Sequence, residues 1–135
     1  MKKKRKSINA LREEAARVFN RWVRMRDCFL ATGSIHYGEC ISCGEPFPFE
    51  KLEAGHFVPK HNNNYFSEDG VHAQCKKCNR FLSGNQLGYR RSLVVLYGEK
   101  RTSELEFENV PFKKFTREEL ENLKNYYKEK IKELK

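Results

Sequence analysis

With 135 residues the chain has room for one domain, or one core with helical appendages. Hydrophobic residues make up 39%, but 10 Phe, 6 Tyr and 1 Trp supply enough contact area for a modest core if a metal assists it. The net charge is +9, no apolar run approaches the roughly 18 residues of a membrane span, and the lysine-rich start lacks the apolar stretch of a signal peptide. No membrane-spanning helix is expected, and a soluble, cytoplasmic protein is.

The distribution of charge says more than its sum. Residues 2–6 carry +5, residues 40–70 carry −3, and residues 71–101 carry +6. Positive charge therefore resumes where the second cysteine pair begins, as expected if the following segment meets phosphates.

In chain order, residues 1–6 read as a solvated basic arm. Leu11, Ala15, Val18, Trp22 and Met25 then recur at spacings of 4-3-4-3, which predicts an amphipathic helix from Ser7 to about Cys28. Arg17, Arg21 and Arg24 form a cationic ridge beside that stripe, either solvated surface or a hold on a DNA backbone. Gly33 and Gly38 punctuate a loop, and Pro46 and Pro48 keep the next segment out of a helix. Leu52 to Val58 reads as a short strand, Pro59 to Gly70 as a long polar loop, and Val71 to Gln74 as the returning strand. A helix should start near Lys76 to Asn79 and falter at Ser83-Gly84-Asn85.

Tyr89 to Tyr97 is a second helical stretch, with Leu93, Leu96 and Tyr97 inward and Gly98 as its stop. An irregular segment follows to Phe115. Thr116 and Glu119 form a capping box for a terminal helix whose Leu120, Leu123, Tyr127, Ile131 and Leu134 share one face. Its charges nearly cancel, +1 over residues 116–135, which suits packing or self-association better than DNA contact. The organisation expected is a basic arm (1–6), a helix and loop (7–39), a zinc-stabilised core (40–101), and a connecting segment with a C-terminal helix (102–135).

Of 5 cysteines, four stand in two pairs, Cys40-Ile-Ser-Cys43 and Cys75-Lys-Lys-Cys78. Two such turns offer four soft ligands as rigid pairs, the donor set of a closed, structural zinc site. Cys28 is left over and reads as a small buried hydrophobe. Between the pairs the expected order is strand, loop, strand, helix, with His56 ending the first strand and Asn79 near the start of the helix. This order resembles the ββα-metal (HNH) nuclease fold, an α+β core flanked here by N-terminal and C-terminal helices. A neutral imidazole at the strand end would act as general base on a water, and one Mg²⁺ or Mn²⁺ on hard ligands would neutralise the phosphate and the leaving oxygen.

The resemblance narrows further along the chain. Asp27, Cys40-x-x-Cys43-Gly44, Ala54-Gly55-His56-Phe57, Phe66-Ser-Glu68, Val71-His72-x-Gln74-Cys75-x-x-Cys78-Asn79, Ser83-Gly84-Asn85 and Tyr89-Arg90 together resemble the NinG (Rap) recombination nuclease family of lambda-like phages. That resemblance covers about residues 18–108. It implies an endodeoxyribonuclease acting on branched DNA such as Holliday junctions and D-loops, alongside phage or host recombination proteins. It also implies Cys40, Cys43, Cys75 and Cys78 as zinc ligands, His56 as general base and Asn79 as a catalytic-metal ligand.

Two positions depart from the wider HNH pattern. Gly55 stands where many such nucleases carry a metal-binding Asp, and Gly70 falls where the middle Asn is expected. His72, on the adjacent strand, is the first candidate for the missing ligand, and Glu68, a hard carboxylate on the loop, is the second. For DNA contact the candidates are Lys76, Lys77, Arg80, Arg90 and Arg91, with Arg90 foremost because it lies in the Tyr89-Arg90 motif. His36 and His61 read as exposed loop residues. A homodimer through one or both terminal helices would supply two active sites. Two rival readings are a sequence-specific restriction or homing HNH nuclease, and a zinc-stabilised DNA-binding or adaptor protein without catalysis.

Overall fold

Ser7 starts the first helix because its hydroxyl accepts a hydrogen bond from the Ala10 N–H at 3.1 Å. Gly33, in the left-handed region at φ 78°, ends it by turning its own N–H back to the Phe29 carbonyl. Between them runs α1 (Ile8–Thr32), longer at its C-terminal end than predicted. The computed structural model describes residues 5–58, 64–107 and 114–135, so His61 and parts of the basic arm, the long loop and the last connection lie outside the described residues.

The buried surface of α1 is wider than the expected stripe. Leu11, Ala15, Trp22 and Met25 are joined by Ala16, Phe19, Val23 and Cys28, whereas Val18 is only half-buried. The cause is that α1 packs on two partners. Phe19 and Trp22 meet Tyr127 of α3 (Arg117–Leu134), with ring centroids 4.8 and 5.1 Å apart. Farther along, Cys28 packs with Leu52 and Ala73 of the sheet, and burial pushes its thiol up to about 11, so it serves as an inert hydrophobe. The capping box at Thr116 and Glu119 is present, and the apolar face of α3 is taken up by packing on α1.

Two small antiparallel sheets follow α1. β1 (Tyr37–Glu39) pairs with β2 (Pro46–Pro48), where a loop was expected. Gly38 permits this, since a Cβ there would stand 2.7 Å from Cys28 Sγ, and the two prolines lie in a short strand with an outer edge that needs no N–H. β3 (Leu52–His56) pairs with β4 (Val71–Cys75) in a register that sets Glu53 opposite Gln74, Gly55 opposite His72 and His56 opposite Val71. Alternation puts Leu52, Ala54 and His56 on one face, toward α1, and Glu53 and Gly55 on the other.

After β4 comes a wide helical turn, Lys77–Phe81, closed by the Leu82 N–H on the Lys77 carbonyl at 2.9 Å and ended by left-handed Ser83, Gly84 and Asn85. The expected helix there is thus a single turn. α2 (Gln86–Phe107) also differs from expectation. Gly98, at φ 86°, breaks the helix without stopping it, and a second half continues to Phe107, over the first part of the segment predicted to be irregular. Leu105 joins Phe57, Tyr89 and Leu93 in one cluster, and Arg90 reaches across the break to Glu99 and to Glu106 (3.0 Å). Leu96, expected inward, is 55% exposed because Gly88, Tyr89 and Leu93 form the inner face. The result is a mixed α+β fold whose β3–β4 hairpin lies between an α1–α3 layer and the cysteine turns with α2. Among the described residues no helix is long and apolar enough to cross a membrane.

Candidate functional site

The four paired cysteines converge. Their sulfurs all lie within 4.8 Å of one another, and Cys43 Sγ is 3.9 Å from Cys75 Sγ, close to the roughly 3.8 Å edge of a tetrahedral zinc–thiolate site. Gly44, left-handed at φ 75°, closes the first turn with its N–H on the Cys40 carbonyl at 2.8 Å. Backbone and side-chain amides already face the sulfurs: Cys78 N–H lies 3.5 Å from Cys75 Sγ, and Asn85 Nδ2 lies 3.4 Å from Cys78 Sγ. This arrangement could hold a structural ion such as zinc, with Cys43 alone exposed.

A buried amide ties that cluster to β3. Gln74 is fully buried, and its Nε2 donates to Ser42 Oγ at 2.8 Å and to the Gly84 carbonyl at 2.7 Å. The same side chain explains Gly55, where a Cβ would stand 1.9 Å from Gln74 Oε1. On the other side the Tyr89 hydroxyl donates to the Gly55 carbonyl at 2.6 Å. Position 55 therefore cannot carry an acidic side chain in this packing, because Gln74 fills the space it would need.

His56 is the last residue of β3 and is half-buried. Asn79 lies in the helical turn, where its Nδ2 donates to Glu53 Oε1 at 3.0 Å. Arg80 Nε donates to the same oxygen at 3.0 Å, and its guanidinium also pairs with the second carboxylate oxygen. Partial burial works against ionisation of Glu53, but the hydrogen bonds from Asn79 and Arg80, with the charges of Arg80 and Lys76, outweigh it and hold this carboxyl below its usual range. Sequence reading passed over Glu53. Its only signal was a place two residues before Gly55, on the same strand face.

The two ligand candidates chosen from sequence are committed elsewhere. His72 is 3% exposed, with Nδ1 3.2 Å from Asp27 Oδ2 and Nε2 3.1 Å from both the Asp69 carbonyl and the Tyr97 hydroxyl. It faces away from His56, because its partner in the register is Gly55. Glu68 accepts from the Tyr127 hydroxyl at 2.8 Å, which ties it to α3. Asp27 is a structural hub that accepts from Arg26 Nε at 2.8 Å and from the Ala73 N–H at 2.7 Å. Burial pushes its carboxyl up, but His72 and Arg26 outweigh that and hold it below the usual range.

The cations divide in the same manner. Arg90 is neutralised by Glu99 and Glu106, and Arg80 by Glu53. Lys76, Lys77 and Arg91 are exposed, with no ion pair among the described residues, as is His36. Arg24 stacks on Phe49 at 4.5 Å and lies within electrostatic range of both Arg21 and Glu53. The α1 ridge and the second cysteine turn thus contribute to one basic surface around Glu53 and Asn79.

A family model described as Bacteriophage Lambda NinG protein matches residues 1–135. Protein ninG of Escherichia phage lambda is 31% identical over 125 residues, which is 91% of this chain and 56% of that relative. Protein ninG of Salmonella phage P22 is 30% identical over 125 residues, 91% of this chain and 57% of the relative. The chain spans little more than half the length of these curated relatives. No solved structure matches it.

Proposed function

The chain belongs to the family of the bacteriophage lambda NinG protein, and from that premise we propose that it is a metal-dependent, Rap-type endonuclease cutting branched recombination intermediates such as Holliday junctions and D-loops. The His56 imidazole takes a proton from water as the water oxygen bonds to the scissile phosphorus. The bond to the 3′ oxygen breaks, that oxygen takes a proton from solvent, and 5′ phosphate and 3′ hydroxyl ends result. Asn79 would be among the ligands of a Mg²⁺ or Mn²⁺, which when bound would supply charge neutralisation for the phosphate and the departing oxygen. Zinc on Cys40, Cys43, Cys75 and Cys78 is structural.

One observation carries this reading. Asn79, directly after the last cysteine, places its amide 3.0 Å from a carboxylate on β3, the strand that ends in His56. Amide and carboxylate oxygens are hard donors that suit Mg²⁺ or Mn²⁺. Among the described residues β3 is paired only with β4, so its outer edge is left unpaired. His56 on one face and Glu53 on the other are separated by about 10 Å of strand, and a phosphodiester laid along that edge meets both. Exposed lysines and arginines hold the flanking backbone through phosphates, which suits selection of shape over sequence.

The decisive experiment compares a four-way junction with linear duplex of the same sequence, with Mg²⁺ or Mn²⁺, for the zinc-loaded protein and for His56→Ala. Cleavage confined to the junction and lost in the variant is expected. Equal cutting of both substrates, or cutting that survives His56→Ala, sinks the reading. The opposite facing of His56 and Glu53 favours a second reading, a zinc-stabilised DNA-binding protein without catalysis, which requires junction binding and no cleavage with any divalent ion.

A further inference from the structure

We propose that Glu53 supplies the carboxylate that Gly55 does not: a divalent cation binds between Glu53 and the Asn79 side-chain oxygen, and Arg80 is released from Glu53 onto a DNA phosphate. The inference rests on the nuclease reading and names the ligand it leaves open.

Elimination leads to Glu53 first. Gly55 has no side chain, and the room for one is filled by Gln74 Oε1. His72 has both ring nitrogens engaged inside the protein, so a cation reaches it only by displacing Asp27, or Tyr97 and the Asp69 carbonyl. Glu68 turns its carboxylate to Tyr127. Glu53 meets the requirements that these fail. Its side chain is 24% exposed, it touches Asn79, and it lies on the strand of His56.

The contacts around Glu53 also resemble those of a cation site. Its carboxylate already balances a positive charge, that of Arg80, whose side chain is 58% exposed and has open solvent to move into. Asn79 now presents Nδ2 to Glu53. Half a turn about the last side-chain bond presents Oδ1 instead, so that amide and carboxylate both aim oxygen at a shared ion. An ion arriving there displaces the guanidinium, which remains beside the same strand and faces the incoming backbone.

A consequence separates this site from an ordinary surface ion pair. Arg80, Arg24 and Lys76 all lie within electrostatic range of Glu53. One carboxylate among three cations is a poor site for a bare divalent ion. When DNA phosphates neutralise those cations the repulsion falls, so metal and DNA bind with positive coupling, and each tightens the other by the same factor.

The test measures Mn²⁺ binding by electron paramagnetic resonance, using the zinc-loaded full chain with His56→Ala to prevent cleavage, with and without a four-way junction. Junction DNA should tighten Mn²⁺ by about tenfold. Adding Glu53→Gln should abolish that tightening and weaken Mn²⁺ by at least about tenfold, whereas Glu68→Gln leaves both within error. Asn79→Asp, which adds a charged oxygen ligand and preserves shape, should tighten Mn²⁺, so the assignment does not depend on one variant folding. With zinc retained and no Mn²⁺ or Mg²⁺ added, Glu53→Gln should bind the junction more tightly than the parent, because Arg80 is freed. Unchanged Mn²⁺ binding in Glu53→Gln overturns the proposal, as does a parent that binds no Mn²⁺ with DNA present. Glu53-dependent Mn²⁺ binding in a protein that cuts no junction would keep the site and reject the nuclease reading instead.

Discussion

The two faces of the β3–β4 hairpin are stabilised by different physics. On the α1–α3 face, Phe19, Trp22, Val23, Val71 and Tyr127 form an aromatic core that buries its own apolar surface. On the other side, and at the Cys75 end of β4, the cysteine turns pack through Cys40, Cys75 and Cys78, beside a fully buried glutamine and a glycine, Gly88, held against the Ser42 carbonyl. Little apolar area is available there, so the second face depends on metal–sulfur bonds and on hydrogen bonds with no slack. The proposed metal ligands, Glu53 and Asn79, sit on this second side, where stability is conditional, whereas His56 ends β3 on the first face.

Removing the metal is the strongest way to test that contrast. Structural zinc contributes on the order of 10 kcal/mol to small metal-dependent domains, so chelation or Cys75→Ser should erase amide-exchange protection in residues 40–44 and 71–85. Protection in α1 and α3 should persist in part. Equal loss on both faces would show that the hairpin folds as one unit with the ion. The converse cut is Phe19→Ala, expected to lower unfolding free energy by about 3–5 kcal/mol, read by denaturant unfolding with zinc bound. Zinc stoichiometry in the folded variant should stay at the parent value.

Asp27 joins α1 to β4 and to the break in α2 through His72 and Tyr97. Its carboxyl is held below the usual value of 3.8 by His72 and Arg26 despite burial. A carboxyl with a lowered folded-state value stabilises the fold above its unfolded value, and that contribution is lost as pH falls through the folded one. Asp27→Asn should therefore cost about 3 kcal/mol at neutral pH, with the gap from the parent closing only below about pH 4, as read by urea unfolding at several pH values. Gly55→Ala is smaller, about 1–3 kcal/mol from overpacking against Gln74. Gln74→Ala in the same chain should recover most of that packing cost, because it removes the atom in the way. A non-additive cycle of that sign confirms the contact.

Much of the first face and the cysteine cluster could be read from sequence, because both signals are local. Helical spacing marks Leu11, Ala15 and Trp22, and a two-residue gap marks each cysteine pair. The terminal helix declared itself through Thr116 and Glu119. What was missed depends on partners distant in the chain. Three-residue strands with prolines and a glycine read as loop, since only the close approach of Gly38 to Cys28 makes β1 a strand. Glu53 acquires meaning when the turn after β4 brings Asn79 to it, 26 positions away. His72 looked available because nothing near it in sequence announces Asp27, 45 positions earlier.

Arg90 shows the same limit and gives the smallest expected effect. Its motif position made it the leading DNA contact, yet its hydrogen bonds to Glu99 and Glu106 raise its pKa and neutralise its charge within the break of α2. Lys76 and Lys77 are exposed and make no ion pair among the described residues. Binding through phosphates gives a salt slope of about 0.9 per neutralised phosphate, so Lys76→Ala and Lys77→Ala should each flatten the salt dependence of junction binding by roughly one. Arg90→Ala should leave the slope unchanged and alter affinity by less than about twofold. A slope change for Arg90 equal to that for Lys76 would mean that DNA opens the Arg90–Glu99–Glu106 pairing, making the break at Gly98 a joint that moves on binding.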